Sequence, residues 1–246
     1  MPALTDKDQI RLILRRDPAW TVYALGDLSS RMFDKCRWYT PDLTLLFRDY
    51  GTTILFATGP GSIREALGEV TGSVHLQVRA DALDEVARLA TVTAERLMWR
   101  MVWTPGQLPA IDPRVTRLGG ADVPALEQLY AHGASSGESP DFFFPAMVTD
   151  GVFFGMREGD ALVAAAGTHL VAREEGAAAI GNVYTRRDCR GRGRGRSVTA
   201  AVLRELHGIA TVGLNVRADN QPAIRVYESL GFARHCEFHE AIAIVK

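Results

Sequence analysis

The sequence predicts an α/β (α+β) fold laid down twice in one chain, and three observations carry that prediction. Segments with strand character alternate with segments of helical period along all 246 residues. A stretch with three prolines and a glycine, Thr104–Arg114 (TPGQLPAIDPR), interrupts the pattern near the middle. The order of elements before it returns after it: helices, three meander strands, a turn, a helix, a strand, a helix and a closing strand. Domains are therefore expected at 1–108 and 109–246.

In the first half, Thr5–Leu14 and Pro18–Leu28 read as helices. Cys36–Thr40, Leu43–Arg48 and Thr52–Ala57 read as strands, with Asp49-Tyr50-Gly51 as a turn. Thr58-Gly59-Pro60-Gly61-Ser62 then opens a helix over Ser62–Glu69. A strand at Ser73–Val78 follows the Thr71-Gly72 turn. A helix over Ala82–Leu89, with Asp81 as its cap, and a strand over Arg96–Trp103 close the half.

The second half opens with a short strand, Val115–Leu118. Asp122 can cap a helix that carries Pro124 in its first turn and Val123, Leu126, Leu129 and Tyr130 on one apolar face. A loop or short helix runs through Ser139–Asp150. Strands are expected at Gly151–Arg157, Ala161–Val171 and Ala177–Thr185, separated by Glu158-Gly159-Asp160 and Glu174-Glu175-Gly176. A glycine-arginine loop, a helix to His207, a strand at Thr211–Val216, a helix at Gln221–Leu230 and one or two strands over Phe232–Val245 complete it.

Composition excludes several classes. The formal net charge is -1, so no global field draws the chain to nucleic acid or membrane. Three cysteines, Cys36, Cys189 and Cys236, make neither a disulfide framework nor a metal-ligand pattern. The N-terminus has no signal-peptide run, and no stretch of about 18 apolar residues exists for a membrane span. The expectation is a cytoplasmic protein without metal, a monomer or homodimer, that binds no nucleic acid and no membrane.

Arg190-Gly191-Arg192-Gly193-Arg194-Gly195-Arg196 follows a strongly apolar strand and opens a helix whose apolar face holds Val198, Ala201, Val202 and Leu206. A helix N-terminus presents unpaired N–H groups and partial positive charge. Glycines let a ligand approach the main chain, and arginines add charge-assisted bonds to phosphate oxygens. The combination suits a pyrophosphate. It is neither the dinucleotide fingerprint nor a P-loop. A solvated basic turn, or an RG-rich nucleic-acid segment, would carry the same residues.

A second motif follows. In Asn220-Gln221-Pro222-Ala223-Ile224-Arg225-Val226-Tyr227-Glu228-Ser229-Leu230-Gly231-Phe232, Asn220 suits an N-cap, Pro222 a first turn and Gly231 a left-handed stop. Tyr227 shares the inner face with Ala223, Ile224 and Leu230, where a core tyrosine would also stand.

Val183-Tyr184-Thr185, then Arg190-x-x-Gly193-x-Gly195, then Asn220-x-x-Ala223-x-x-x-Tyr227-x-x-x-Gly231-Phe232 together resemble the GNAT superfamily of N-acetyltransferases. The match covers roughly Arg114–Lys246 and is sharpest from Gly181 to Phe232. The resemblance implies a mixed, splayed sheet flanked by helices, with acetyl-CoA as cosubstrate between two parting strands. It implies that Asn182–Thr185, including Val183, Tyr184 and Thr185, bond the pantetheine arm through the backbone. Arg190, Gly191, Arg192, Gly193, Arg194, Gly195 and Arg196 would take the pyrophosphate through their main-chain N–H groups. Asn220 would bond near the pantetheine or the helix start, beside Ala223. Tyr227 would protonate the departing thiolate. The implied reaction is direct transfer of an acetyl group to a primary amine of a small molecule, amino acid or peptide, resting mostly on positioning.

The chain departs from the pattern in places. Arg194 stands where an aliphatic residue is common, which either weakens the packing of the loop or gives an extra contact to the CoA phosphates. The six arginines between Arg186 and Arg196 exceed what a pyrophosphate needs. Ala177, Ala178, Ala179 and Ile180 replace the expected basic carboxylate; Glu138, Asp150 and His169 are other candidates, His169 reading first as a structural histidine. The first half lacks both motifs, and Pro60 removes an N–H from the place of its cradle, which suggests a degenerate copy without acetyl-CoA. Phe142-Phe143-Phe144-Pro145 fits either an apolar acceptor pocket or simple packing. The alternative function is a non-catalytic acyl-CoA-binding sensor on the same fold.

Overall fold

A computed structural model describes residues 3–49, 51–134, 137–140 and 142–245. The expected turn residue Tyr50, and Asp141 of the loop before residue 150, lie outside the described residues. The chain divides into two compact units. The first comprises 1–100, 216–220 and 234–246; the second comprises 101–215 and 221–233. Contacts thus divide the chain differently from a single cut after residue 108. The reason is that the closing strands are long and each contributes to both units.

In the first unit, helix α1 (Lys7–Leu14) starts where the Asp6 carboxylate accepts the N–H groups of Asp8 (2.9 Å) and Gln9 (3.2 Å), and it buries Ile10 and Leu14, four residues apart. Helix α2 (Val22–Gly26) is shorter than the expected Pro18–Leu28. Strands β1 (Cys36–Tyr39), β2 (Thr44–Asp49) and β3 (Thr52–Ala57) form an antiparallel meander. A short α3 (Ile63–Leu67) leads into β4 (Gly72–Val78), parallel to β3. Helix α4 (Ala80–Leu89) begins before Asp81, which therefore lies in its first turn rather than at its cap. Leu46, Leu55, Ile63, Leu76, Val86 and Ala243 share the core.

Strand β5 (Thr91–Trp103) begins five residues earlier than Arg96. Its first seven residues are largely exposed, so no apolar alternation announces them. The last strand, β11 (Phe232–Val245), is one strand; from His239 to Val245 it runs antiparallel to β4.

In the second unit, β6 (Val115–Arg117), β7 (Phe154–Glu158), β8 (Ala161–Ala172) and β9 (Ala177–Thr185) form the second antiparallel meander. Helix α7 (Arg194–Glu205) then leads to β10 (Thr211–Arg217), parallel to β9. This gives the mixed order β10-β9-β8-β7-β6. Helices α5 (Val123–Ala134) and α6 (Pro145–Asp150) precede β7, and α8 (Gln221–Glu228) follows β10. The expected Asp122 cap works one turn earlier, its carboxylate accepting the N–H of Gly119 at 2.9 Å. Leu118, Leu126, Leu129, Phe153 and Leu162 fill the core under α5. No helix among the described residues is long and apolar enough to cross a membrane.

Candidate active site

The site begins where two parallel strands part. β9 and β10 pair from Ala177↔Thr211 to Ile180↔Leu214 and no further, although β9 continues to Thr185. Five residues of β9, Gly181–Thr185, therefore leave one edge without β10. On the other edge, β8 pairs Gly167 with Gly181 and Ala165 with Tyr184. Asn182 and Val183 thus share the single place opposite Ala166, which is a β-bulge. Asn182 has φ 54°, the one positive φ of a non-glycine among the described residues. Tyr184 is buried, while Val183 and Thr185 are half-buried.

Past Thr185 the chain turns through Arg187–Cys189 into the glycine-arginine loop. Gly191 (φ 75°) and Gly193 (φ 72°) take left-handed conformations that favour glycine. Gly193 stands at the N-cap of α7, and no side chain caps that end. The Ser197 N–H closes the first turn on the Gly193 carbonyl at 2.9 Å, and the N–H groups before it have no carbonyl of their own helix to bond. A Cβ on Gly195 would lie 3.2 Å from Oγ1 of Thr185, so the helix start sits close against the end of β9. A cleft of about 340 Å³ borders Arg192, Gly193, Arg194 and Ser197.

The arginines divide by role. Arg192 is exposed and has no ion-pair partner among the described residues. Arg190 donates to the Thr185 carbonyl (3.0 Å) and to both oxygens of Glu138 (3.1 Å each). Arg187 reaches Glu138 as well, at 2.8 Å. Arg196 donates to Oγ of Ser229 at 3.1 Å. Arg194 turns inward: it is 5% exposed, pairs with Glu158 and donates to the Cys189 carbonyl at 3.2 Å. Its guanidinium is thus engaged within the chain, and its part in the loop is that of its main chain. An arginine in this place packs because Glu158 and a carbonyl meet it inside.

Asn220 stands directly before α8, and contacts group it with the first unit; its N–H donates to the Arg217 carbonyl at 3.0 Å. Ala223 and Tyr227 lie on α8 in the second unit. The end of α8 is fixed by Nε1 of Trp103, which donates to the Leu230 carbonyl at 2.9 Å, and by Gly231 with φ 94°. The Tyr227 ring is buried edge-on to Phe232, at 5.9 Å between centroids. Its hydroxyl has no hydrogen-bond partner among the described residues. Burial pushes its pKa up to about 12, so the hydroxyl holds its proton at neutral pH.

Of the base candidates, Glu138 is engaged by Arg187 and Arg190. Asp150 is exposed at the end of α6. His169 lies against the parting point: a Cβ on Gly181 would fall 2.1 Å from its Nε2, so the missing side chain makes room for the imidazole. Phe143 packs against Tyr130 (5.0 Å) and Phe153 (6.3 Å), which favours the packing role for its aromatic run. No cluster of His, Cys, Asp and Glu among the described residues could hold a metal.

The first unit has the same strand-turn-helix step, but it is closed. β3 and β4 pair through Phe56↔Gln77, one residue short of each strand's end, so these two strands do not part as β9 and β10 do. The Asp42 carboxylate accepts the Gly61 N–H at 2.9 Å, and a Cβ on Gly59 would lie 2.7 Å from the same oxygen.

Residues 124–232 match the model of the acetyltransferase (GNAT) family. A mycothiol acetyltransferase of Streptomyces avermitilis is 34% identical over 138 residues, covering 54% of this chain and 42% of the relative. One from Streptomyces coelicolor is 33% identical with the same coverage. The chain thus spans less than half the length of these curated relatives. Among solved structures, a protein of Novosphingobium aromaticivorans assigned to the GNAT family superposes with TM-score 0.66 at 20% identity, over 93% of this chain and 97% of that one. A Drosophila protein does so with TM-score 0.72 at 14% identity, over 98% and 97%.

Proposed function

Since residues 124–232 belong to the acetyltransferase (GNAT) family, we propose that the chain transfers an acetyl group from acetyl-CoA directly to a primary amine. The observation that carries this reading is the open edge of β9 leading straight into an uncapped helix start. The open edge offers an amide-bearing arm the backbone groups that β10 does not take up. The loop offers N–H groups, left-handed glycines and Arg192 to a pyrophosphate.

Acetyl-CoA supplies the acetyl group on a thioester. The chain's own contribution is to hold and orient it. Backbone N–H groups of β9 near the bulge polarise a carbonyl placed on the open edge. Tyr227 keeps a proton on its hydroxyl for the sulfur that leaves as the amine's nitrogen bonds to the carbonyl carbon; the proton that the nitrogen gives up passes to water, which in turn reprotonates the tyrosine. We read the first unit as a degenerate copy of the same fold that takes no acetyl-CoA, because its strands stay paired and Asp42 fills its cradle.

The test is calorimetry of the full chain with acetyl-CoA, followed by thiol release across a panel of amines. Mycothiol-related amines belong in that panel because the relatives carry that name. One binding site and thiol release with at least one amine are expected. Binding without release on any amine points to the sensor instead. No binding at all sinks the reading.

A further inference from the structure

In the sequence, Tyr130 is only one apolar position of a helix. We propose that Tyr130 is a positioning residue of the acetyl-CoA site, acting through the main-chain carbonyl of Asn182. This rests on the function proposed above.

Along a strand, main-chain groups point alternately to the two neighbouring strands. Up to Ile180, the groups of β9 on the β10 side are used by β10. Beyond it they face the open edge. Placing Asn182 and Val183 opposite the single Ala166 shifts this alternation by one residue, so the bulge decides which N–H and C=O groups the open edge presents.

That conformation needs support. A left-handed backbone is unfavourable for any residue with a Cβ, asparagine less than most. The support is visible. The Tyr130 hydroxyl donates to the Asn182 carbonyl at 2.9 Å, and both residues are buried. The Asn182 side chain makes only a weak contact, from Nδ2 to Sδ of Met147 at 3.5 Å, and its Oδ1 has no partner among the described residues. Of these two side-chain hydrogen bonds, one on the Asn182 carbonyl and one on its amide, the hydroxyl bond is the firmer. Its donor is itself held: the Tyr130 ring meets Phe143 edge-on at 5.0 Å and lies in the core beside Leu126. Burial keeps the hydroxyl protonated, so it can only donate to a carbonyl.

Tyr130→Phe keeps the ring and removes the donor. The full chain and this variant are titrated with acetyl-CoA and, separately, with adenosine 3′,5′-bisphosphate, which reaches the loop but not β9. Acetyl-CoA affinity should fall about tenfold, the scale of one buried hydrogen bond, while the bisphosphate binds both proteins alike. An unchanged acetyl-CoA affinity overturns the inference, and so does an equal loss for both ligands, which would mark Tyr130 as merely structural. Should the variant not fold, hydrogen exchange on the native chain decides. Amides of Gly181–Thr185 should gain protection from acetyl-CoA and none from the bisphosphate; no difference between the two ligands overturns the inference. A native chain that does not bind acetyl-CoA overturns the proposed function first, and this inference with it.

Discussion

Arg194, the first residue of α7, pairs its guanidinium with the carboxylate of Glu158 on β7 and so turns away from the loop it helps to form. Arg192, two residues earlier, is exposed. The two arginines should separate cleanly in experiment. Arg194→Met leaves Glu158, itself 44% exposed at the side chain, without its partner and should cost about 1–3 kcal/mol of stability, less than a fully buried pair. Cofactor affinity should change little. Arg192→Ala should leave the melting temperature alone and weaken acetyl-CoA binding by about 1 kcal/mol, roughly the worth of one charge-assisted bond. Thermal melts beside calorimetry check both, and the reverse pattern would refute the assignment of roles.

Gly193 should be intolerant for a reason of backbone, not of space. Nothing lies within 4 Å of a Cβ built there, but its φ is 72°. Gly193→Val should cost about 1–2 kcal/mol of stability from the left-handed backbone. It should also tilt the first N–H groups of α7, so acetyl-CoA affinity drops. If calorimetry shows native affinity, the loop is only a basic turn.

Asp42 gives the test of the closed first unit. Asp42→Ala removes the acceptor of the Gly61 N–H and should cost about 1 kcal/mol, the usual worth of one hydrogen bond. It should not create a second acetyl-CoA site, because β3 and β4 remain paired through Phe56↔Gln77. Two sites in a titration of this variant would show that the carboxylate alone had blocked binding.

Much of this was legible in the sequence, and the rest was hidden for physical reasons. The loop and α8 could be read because glycine, proline and asparagine report local backbone needs. Gly193 and Gly231 are indeed left-handed. The inward turn of Arg194 could not be read, because it depends on Glu158, thirty-six residues away and brought near only by the fold. The bulge at Asn182 carried no glycine to announce it. Its support, Tyr130, looked like any core tyrosine. The two units could not be drawn from a Pro-rich boundary, since long β5 and β11 each contribute to both.

Arg100 in the first unit is fully buried, and none of its three guanidinium nitrogens has a hydrogen-bond partner among the described residues. The rings of Trp20 (5.2 Å), Tyr23 (4.6 Å) and Phe238 (5.2 Å) surround it. Burial holds its pKa below the ordinary value. Cation–π contacts return about 2 kcal/mol when desolvated, less than unpaired buried donors cost at about 1–3 kcal/mol each. Arg100→Met should therefore stabilise the chain by about 1–3 kcal/mol. A lower denaturation midpoint in urea would show that the aromatic surround more than offsets the desolvation.

Tyr227 is the residue proposed to give its proton to the leaving sulfur. Its ring is fixed by burial and by Phe232, so Tyr227→Phe should preserve packing and remove only the hydroxyl. If that hydroxyl protonates the leaving sulfur, turnover on an identified amine should fall by about 10- to 1000-fold, overlapping the general-acid range. Acetyl-CoA affinity should barely move, because the bond strengthens only as charge develops on sulfur. The pH dependence follows from the raised pKa, about 12. Below pH 10 the hydroxyl is protonated in both the folded and the unfolded chain, so the rate should show no tyrosine limb between about pH 7 and 10. Between about pH 10 and 12 the unfolded chain loses this proton first, and the stability the buried hydroxyl contributes is lost as pH rises through that window. The native chain should therefore lose more stability there than Tyr227→Phe does. Full turnover in the variant would make Tyr227 a packing residue and leave water to protonate the sulfur. Joint loss of binding and melting temperature would show that the hydroxyl holds the fold rather than the proton.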